Sequence, residues 1–508
     1  MSWTEPRFWA ALRSDRPLLI ATVALVLLAW APLAVTPFLP LQDLPAHVGL
    51  ASALGQVARG AGELGARYQI DWSPLPYWTG VLLMAAVQAV LGPLLGAKVV
   101  VGLVVALVPL ATMRLLIALD RSPRLGLWAF ALSWPYSLYF GWISFLLGVG
   151  LALWLLALTV EATTARAQLR LVPLGVLLGL THVLAASFFL VQLAGLMALG
   201  EGTWRERCRR AWPGLGVVAA LVPWVVKLLT GRASGRPFAA EWDRPGDKLA
   251  GLFRDSLDTL PDGGWTGAGC VLVILLGPAL LALAPSRPGP IESRHDRSAA
   301  TLAVLGLLLY LALPRNVLAP VDHWGTGSRF AAVAVLGWLL LPRPALDGRR
   351  ALALVPGVVL TVAHLVAVTR QFHRFGVEVA PLVRVIEAAP PARRLLPLVF
   401  DNGRPLVPHH RPMNQLHAYL AARQGSFDPF YFDSPGLHPV QFRAEGRPAA
   451  PPWFAPAQFS FERHGQLYDQ VLVQGLARDP LAGDPRAHLV IEAGVWRLYT
   501  VERPTTGP

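Results

Sequence analysis

The chain has 508 residues, of which 54% are hydrophobic and only 15% are charged. A soluble core does not need so much apolar sequence, and several apolar runs approach the roughly 20 residues that span a bilayer. The composition therefore predicts an all-α polytopic membrane protein with about 11–12 hydrophobic helices. The net charge of +13 does not indicate a nucleic-acid partner, because many basic residues lie in short loops between apolar runs. Two cysteines give neither a disulfide framework nor a metal-ligand spacing.

The first apolar run, residues 18–35, follows a basic segment that contains Arg7, Arg13 and Arg16. Positive flanking charge predicts a cytoplasmic N-terminus. No small-residue cleavage site follows the run, so we predict an uncleaved anchor. Residues 36–76 then form the first external loop.

This loop places a carboxylate and an imidazole four residues apart, at Asp43 and His47. A carboxylate held at a membrane surface costs free energy unless it is solvated or has a functional role, which favours a functional interpretation. The alternative is that Asp43 only caps a short helix that starts near Ala46, because Asp before Pro often opens a helix. The residue pair alone leaves both interpretations open.

The later spans are of unequal length, which is typical of helices that end at a cavity. We predict that the runs 77–91 and 97–119 make only one net crossing, because the basic loops that follow then all lie in the cytoplasm. Those loops are 161–170, 201–212, 285–297 and 342–350, and the predicted external loops include 231–265 and 315–328. The further predicted spans are 126–140, 143–160, 171–181, 183–199, 213–230, 266–284, 298–314, 329–341 and 351–369.

Several polar and aromatic residues of the later external turns are candidate substrate-binding residues. Arg329 is the foremost, because a guanidinium at the outer mouth of a span can hold a phosphate with two hydrogen bonds. The others are Tyr139, Trp142, His182, Asp322 and His323. Each has a structural alternative: the aromatic residues fit an interfacial belt, His182 a helix end, and Asp322 with Arg329 a pair or a cap.

The composition changes after Arg370, where no further run is long enough to span a membrane. We predict a transmembrane domain over 1–369 and a small extracytoplasmic α/β domain over 370–508, on the same side as Asp43. Its predicted strands are Val471–Gln474, His488–Glu492 and Val495–Val501. His409 and His410 are flanked by prolines that imply a loop, so we predict no metal centre there.

The pattern resembles the GT-C superfamily of integral-membrane glycosyltransferases, in particular a bacterial branch with an Asp-x-Pro-x-His motif. Asp43, Pro45 and His47 match that motif, and the aromatic turn 140–145 and the pair Arg329-Phe330 are similar to the same branch. The resemblance implies transfer of a sugar from a polyprenyl-phosphate donor to a glycan or protein acceptor on the outer face of the bacterial cytoplasmic membrane.

The resemblance also implies roles for individual residues. Asp43 would act as general base or orient the acceptor hydroxyl, and Arg329 would bind the donor phosphate. Better-known branches have paired acidic residues in the first loop, whereas Ala46 and His47 stand here. A divalent metal such as Mg²⁺ or Mn²⁺ is therefore an open expectation, and His47 is an alternative proton acceptor.

Two other classes of function stay open on the sequence. A transporter or flippase of a lipid-linked or polar substrate predicts charged residues deep in the spans, where Lys227 and His364 are the clearest. A non-catalytic membrane partner would bind protein or glycan through residues 370–508, whose aromatic segments 427–432 and 453–461 suit either binding or a lid.

Overall fold

The computed structural model describes residues 7–230, 237–282, 295–343, 346, 348–431, 437–443, 447–475 and 479–502. Most of the predicted basic loop 285–297, residues 231–236 of an external loop, and Phe432 therefore lie outside the described residues. The chain forms two compact units. The first unit contains Met1–Pro32, Pro74–Thr79 and Gly102–Arg370, and the second contains Leu33–Ser73, Gly80–Val101 and Gln371–Pro508.

Helices dominate the described residues. In chain order they are α1 (Arg7–Ser14), α2 (Arg16–Ala34), α3 (Leu44–Ala58), α4 (Gly62–Arg67), α5 (Trp78–Ala118), α6 (Tyr136–Tyr139), α7 (Ile143–Glu161), α8 (Ala165–Leu169) and α9 (Val172–Gly179). They continue with α10 (Val183–Leu199), α11 (Trp204–Arg209), α12 (Trp212–Thr230), α13 (Pro245–Leu257), α14 (Trp265–Ala282), α15 (Asp296–Ala312), α16 (Ala331–Gly337), α17 (Val355–Ala388) and α18 (His417–Gln424).

Strands are short and mostly follow residue 370. They are β1 (Tyr68–Ile70), β2 (Ala239–Glu241), β3 (Asn316–Ala319), β4 (Leu395–Val399), β5 (Val440–Phe442), β6 (Gln470–Gln474), β7 (Ala487–Ala493) and β8 (Trp496–Val501). They form two antiparallel pairs, β1–β5 and β2–β3, and one four-stranded sheet in the order β4-β6-β8-β7.

Over the described residues, five helical segments are long and apolar enough to cross a membrane by length and composition: Arg16–Ala34, Trp78–Ala118, Ile143–Glu161, Trp212–Thr230 and Gly348–Ala388. Three shorter apolar helical segments, Val183–Leu199, Trp265–Leu281 and Ser328–Leu340, match further predicted spans. The prediction of a helical span over 126–140 is wrong. Those residues form a 3-10 helix, Pro123–Ser133, followed by the single turn α6. Pro123 and Pro135 stand at the starts of these two pieces, where a missing backbone N–H costs least.

Close packing of small residues joins α9 to α12 in the first unit. A Cβ atom added to Gly175 would lie 2.1 Å from the Pro213 carbonyl oxygen, and one on Gly216 would lie 2.2 Å from that of Val172. The two backbones are therefore nearly in contact. In a membrane, where lipid is as apolar as the side chains, such close approach is a main source of helix association.

Helix α5 contains a sharp reversal at Gly92, whose backbone angles are φ 76° and ψ 170°. This conformation is almost exclusive to glycine. A Cβ atom on Gly96 would lie 3.0 Å from the Gln88 Cα atom, although residues eight apart in a straight helix are separated by about 12 Å. The two predicted runs are thus two arms of a helical hairpin. The first arm, of about 21 Å, is too short to span a bilayer core.

In the second unit, the four-stranded sheet confirms the predicted strands near 471, 488 and 495. Strands β6, β8 and β7 pair antiparallel, and β4, which the sequence analysis missed, joins β6 in parallel. All five β4 residues are buried, so its pattern is a continuous apolar run without alternation. A mixed sheet with α18 in the same unit agrees with the predicted α/β character of this region.

The first loop and the C-terminal region belong to the same unit and are in direct contact. Strand β1 pairs with β5, the Tyr68 hydroxyl donates to the Asp428 carbonyl oxygen at 3.0 Å, and Arg411 N–H donates to Gln42. Segments that share backbone hydrogen bonds lie on the same side of a membrane. The division into domains at 369/370 stays a prediction, and α17 runs continuously across that position.

Candidate functional site

Asp43 stands directly before α3, in the second unit. Pro45 occupies the first turn, as expected for a residue whose N–H would be unsatisfied there. Asp43 has φ −97° and ψ −7°, and its carboxylate makes no capping hydrogen bond to the helix. A capping residue normally has extended backbone angles and accepts from the second or third helical N–H. The geometry therefore does not support the alternative in which Asp43 serves only as a cap.

His47 follows one helical turn later, and its N–H donates to the Asp43 carbonyl oxygen at 3.2 Å. Residues four apart on a helix share one face, so the carboxylate and the imidazole are neighbours. The ring of His438 lies 6.2 Å from that of His47, between centroids. The structure thus brings two imidazoles together near the start of α3, and the spacing of Asp43 and His47 places the carboxylate on the same side of the helix. Groups of these two types can accept a proton from an attacking hydroxyl near neutral pH.

The C-terminal region supports this part of α3 through Gly49 and Tyr431. A Cβ atom on Gly49 would lie 2.4 Å from Cε1 of the buried Tyr431 ring. Only glycine permits the tyrosine to lie so close to the helix, two residues after His47. Burial raises the pKa of Tyr431 well above its usual range, so this hydroxyl stays protonated.

A fully buried imidazole–carboxylate pair lies in the same unit. His417 Nδ1 is 2.6 Å from an Asp428 carboxylate oxygen, and the other oxygen accepts from Phe430 N–H at 2.9 Å. The sequence analysis did not identify this pair, because its members are eleven residues apart in the chain and no motif links them.

The first unit contains a second polar group, built around Arg329. This side chain is 6% exposed, and its guanidinium lies 3.8 Å from the centre of the Trp142 ring. Its Nε and Nη2 atoms donate to the Trp324 carbonyl oxygen at 3.3 and 3.0 Å. Gly325, with φ 64°, lets the loop pass over Trp142, because a Cβ there would be 2.1 Å from the indole.

His182 joins this group from the start of α10. Its Nδ1 accepts from Leu184 N–H at 3.1 Å, so the ring proton is on Nε2, which is 3.0 Å from the Tyr77 hydroxyl. Tyr77 has φ 113°, an uncommon conformation for a bulky residue, of the kind that concentrates at functional sites. The sequence analysis did not select Tyr77, since backbone strain leaves no sequence signal outside glycine.

His323 completes the group, with its ring centre 6.2 Å from that of His182. Its backbone pairs with Val317, which places it in the loop between α15 and α16. Burial and the positive charge of Arg329 lower the pKa of His323 from 6.5 to about 3. The imidazole is therefore neutral at physiological pH, and its Nε2 has no hydrogen-bond partner among the described residues.

The remaining predicted residues lie apart from this group. Asp322 is exposed, and partial desolvation with the nearby Glu241 charge raises its pKa. Tyr139 is completely buried in α6, where burial raises its pKa and Thr259 is its hydrogen-bond partner. Two groups therefore result: Asp43 with His47 in the second unit, and Trp142, His182, His323 and Arg329 in the first.

Among the described residues, no group of three or more His, Cys, Asp or Glu side chains could hold a metal ion. His410 Nδ1 is 2.8 Å from the Pro408 carbonyl oxygen, and His417 faces Asp428.

Solved structures of ArnT from Cupriavidus metallidurans match almost the whole chain. The apo structure aligns with a TM-score of 0.55 and 11% identity over 97% of this chain and 99% of ArnT. The structure bound to undecaprenyl phosphate aligns with a TM-score of 0.53 and 12% identity over 96% and 99%. Arabinofuranosyltransferase AftD from mycobacteria aligns with a TM-score of 0.45 and 14% identity over 95% of this chain and 41% of AftD. No protein-family model matches the chain, and no curated protein matches its sequence.

The chain shares the fold of ArnT over nearly its full length. The protein therefore has the polytopic, mostly helical fold of ArnT, with several apolar helices and a small strand-containing C-terminal region. The predicted fold class and the predicted resemblance at the level of the fold are confirmed.

Proposed function

We propose that the protein transfers a sugar from a polyprenyl-phosphate-linked donor to a glycan or protein acceptor on the outer face of the bacterial cytoplasmic membrane. The observation that carries the proposal is the fold, which the chain shares over 97% of its length with ArnT. ArnT has been solved with undecaprenyl phosphate, a lipid whose phosphate would be the leaving group of such a reaction.

In this reaction an acceptor hydroxyl attacks the anomeric carbon of the donor sugar. A new glycosidic bond forms, the bond from the anomeric carbon to the phosphate oxygen breaks, and the lipid phosphate leaves with the bonding electrons. The acceptor hydroxyl loses a proton, which we assign to the Asp43 carboxylate. His47, one turn away on the same face, is the alternative acceptor for that proton.

Arg329 is our proposed ligand for the donor phosphate. A guanidinium has five N–H donors in a planar fork that matches the oxygens of a phosphate, and two of the Arg329 nitrogens also donate to the Trp324 carbonyl oxygen. Stacking on Trp142 fixes the plane of the guanidinium. A charged hydrogen bond in a poorly solvated position is stronger than one in water. His182, His323, Trp142, Tyr139 and Asp322 stay proposed substrate contacts of the same unit.

The steps above use only the side chains of this chain. Because the described residues form no group of metal ligands, we assign no step to Mg²⁺ or Mn²⁺.

The test is release of undecaprenyl phosphate from a panel of radiolabelled undecaprenyl-phosphate sugars, with purified protein and envelope glycans or membrane proteins as acceptors. We expect turnover with at least one donor, and a KM for the donor that rises at least tenfold in Arg329→Gln. The matched control is Arg315→Gln, an exposed arginine of the same loop, which should keep the wild-type KM. Thermal unfolding of each variant checks that the fold is intact.

Two outcomes would reject this function. Movement of intact lipid-linked sugar across liposomes without hydrolysis or transfer would indicate a transporter or flippase. Donor binding without turnover for every acceptor would indicate a non-catalytic membrane partner.

A further inference from the structure

A surface concavity lies on the segment that joins α10 to α12, in the first unit. It has a volume of about 510 Å³ and is lined chiefly by Trp204, Arg205, Arg209, Trp212 and Leu215. The segment belongs to the predicted basic loop 201–212, and the proposed transferase chemistry does not use it. Its lining combines cationic, aromatic and apolar side chains.

Two arginines provide the charge of the concavity. Arg205 and Arg209 are four residues apart on α11 and therefore share one face, and Arg209 Nε donates to the Arg205 carbonyl oxygen at 3.3 Å. Arg207 does not line the concavity: its Nη1 donates to the Ala198 carbonyl oxygen, and its guanidinium lies 5.6 Å from the centre of the Trp204 ring.

The two glutamates of the same segment accept hydrogen bonds at the starts of helices α11 and α15. Glu206 accepts from Thr203 N–H at 2.7 Å and from its hydroxyl at 3.1 Å, forming a capping box. Glu201 accepts from the N–H groups of Arg297 and Ser298 at the start of α15. Residues 201–212 carry four arginines against these two glutamates, so the concavity is cationic.

The tryptophans indicate a membrane interface. Trp204 is 62% exposed and Trp212 is 38% exposed, although both are large aromatic side chains. Indole rings favour the headgroup level of a bilayer, where their apolar faces and N–H groups are both accommodated.

An exposed apolar stripe runs along α12 from the concavity. Its members recur at helical spacing and are all more than 40% exposed: Leu215, Val218, Val222, Val225, Val226 and Leu229. Helix α12 is 19 residues long and is one of the candidate membrane spans. A lipid whose headgroup occupies the concavity could therefore lay its acyl chains along this stripe.

We propose that the concavity is a binding site for an anionic phospholipid of the leaflet that the loop faces. Arg205 and Arg209 hold the headgroup phosphate, Trp204 and Trp212 flank it, and the α12 stripe holds the acyl chains. A neutral lipid brings no net negative charge to the arginine pair, and a soluble anion has no acyl chain to lie along the stripe. The site is independent of the proposed transferase activity.

The test is native mass spectrometry of the purified full chain, titrated with phosphatidylglycerol or phosphatidylcholine. We expect one phosphatidylglycerol to bind at least tenfold more tightly than phosphatidylcholine. Arg205→Gln combined with Arg209→Gln should remove most of that preference. The matched control is Arg166→Gln with Arg170→Gln, which removes the same charge from the neighbouring predicted cytoplasmic loop and should keep the preference.

A second pair of measurements tests whether the ligand is a lipid. Val218→Asn with Val222→Asn should weaken phosphatidylglycerol binding severalfold, and glycerophosphoglycerol, the same headgroup without acyl chains, should not compete. The proposal is overturned if the two lipids bind equally, if both arginine pairs have the same effect, or if glycerophosphoglycerol displaces the lipid at equal concentration.

Discussion

His323 is a buried imidazole in the loop between α15 and α16, with its pKa lowered to about 3 by burial and by Arg329. The unfolded chain binds a proton at this residue near pH 6.5, whereas the folded chain does so only near pH 3. The folded state therefore loses stability as the pH falls below 6.5. The maximum slope is about 1.4 kcal/mol per pH unit.

We predict that His323→Gln reduces this acid sensitivity. Between pH 7.5 and pH 5, wild-type protein should lose about 2 kcal/mol more unfolding free energy than the variant. The measurement is denaturant unfolding in detergent at both pH values. At pH 7.5 the titration makes no contribution, so the difference there isolates the packing effect of the substitution. An identical pH dependence in both proteins would contradict the lowered pKa.

At the residue scale, the sequence was sufficient to name candidate site residues, but it could not predict the contacts and backbone angles around them. The Asp-x-Pro-x-His spacing placed Asp43 and His47 at a helix start, which the structure bears out. The spacing could not show that the Asp43 carboxylate makes no cap, because that depends on backbone angles. Nor could it find the strained backbone of Tyr77 or the contact between His417 and Asp428, because neither feature has a sequence motif.

Helix α3 has no room for a side chain at Gly49 but has room for one at Gly55, which gives a matched pair of variants. Gly49→Ala places a methyl group 2.4 Å from Cε1 of the buried Tyr431, so the ring or the helix must shift. We predict a loss of about 1–3 kcal/mol in unfolding free energy. Thermal unfolding of the purified variant measures this loss.

Gly55→Ala on the same helix is the control. A Cβ there would have Arg59 as its neighbour at 3.8 Å, an ordinary contact. Alanine is the better helix former by about 0.5–1 kcal/mol, so this variant should be unchanged or more stable. If the two substitutions shift the unfolding temperature equally, α3 does not pack on Tyr431 as described.

At the element scale, long apolar runs and alternating strands were predictable, and irregular segments were not. Helices α2, α7, α10, α12 and α15 begin and end within two or three residues of the predicted spans. The run 126–140 consists mostly of apolar residues, yet it forms a 3-10 helix and a turn. Hydropathy reports burial, and burial in protein and burial in lipid have the same apolar pattern. Strand β4 was not predicted for the same reason, because its residues form a continuous apolar run.

At the scale of the whole molecule, the loop 36–73 and the C-terminal region fold as one unit. A partly buried ion-pair network contributes to that unit, in which Glu63 accepts from Arg67 and from Arg394. These two arginines lower the pKa of Glu63 despite its desolvation, so the carboxylate is ionised at neutral pH. A single sequence shows no link between positions 63 and 394, since the contact exists only after folding.

We predict measurable coupling between Glu63 and Arg394. A double-mutant cycle with Glu63→Gln and Arg394→Gln should give about 1 kcal/mol of favourable coupling in unfolding free energy. The coupling is present above the unfolded pKa of Glu63, near 4.5, and is lost as the pH falls through the lower folded value. The exposed pair Glu462–Arg486 is the control and should couple much more weakly. Equal coupling in both cycles would count against a role of Glu63 in joining the two segments.

We propose that this protein transfers a sugar, with Asp43 as the group that takes the acceptor proton. The most direct measurement is the single-turnover rate of undecaprenyl-phosphate release by Asp43→Asn beside the wild type, with the exposed Asp401→Asn as a matched control. We predict that this rate falls at least about 100-fold in Asp43→Asn with an intact fold, and that the control keeps the wild-type rate. A wild-type rate in Asp43→Asn would contradict the proposed role of Asp43.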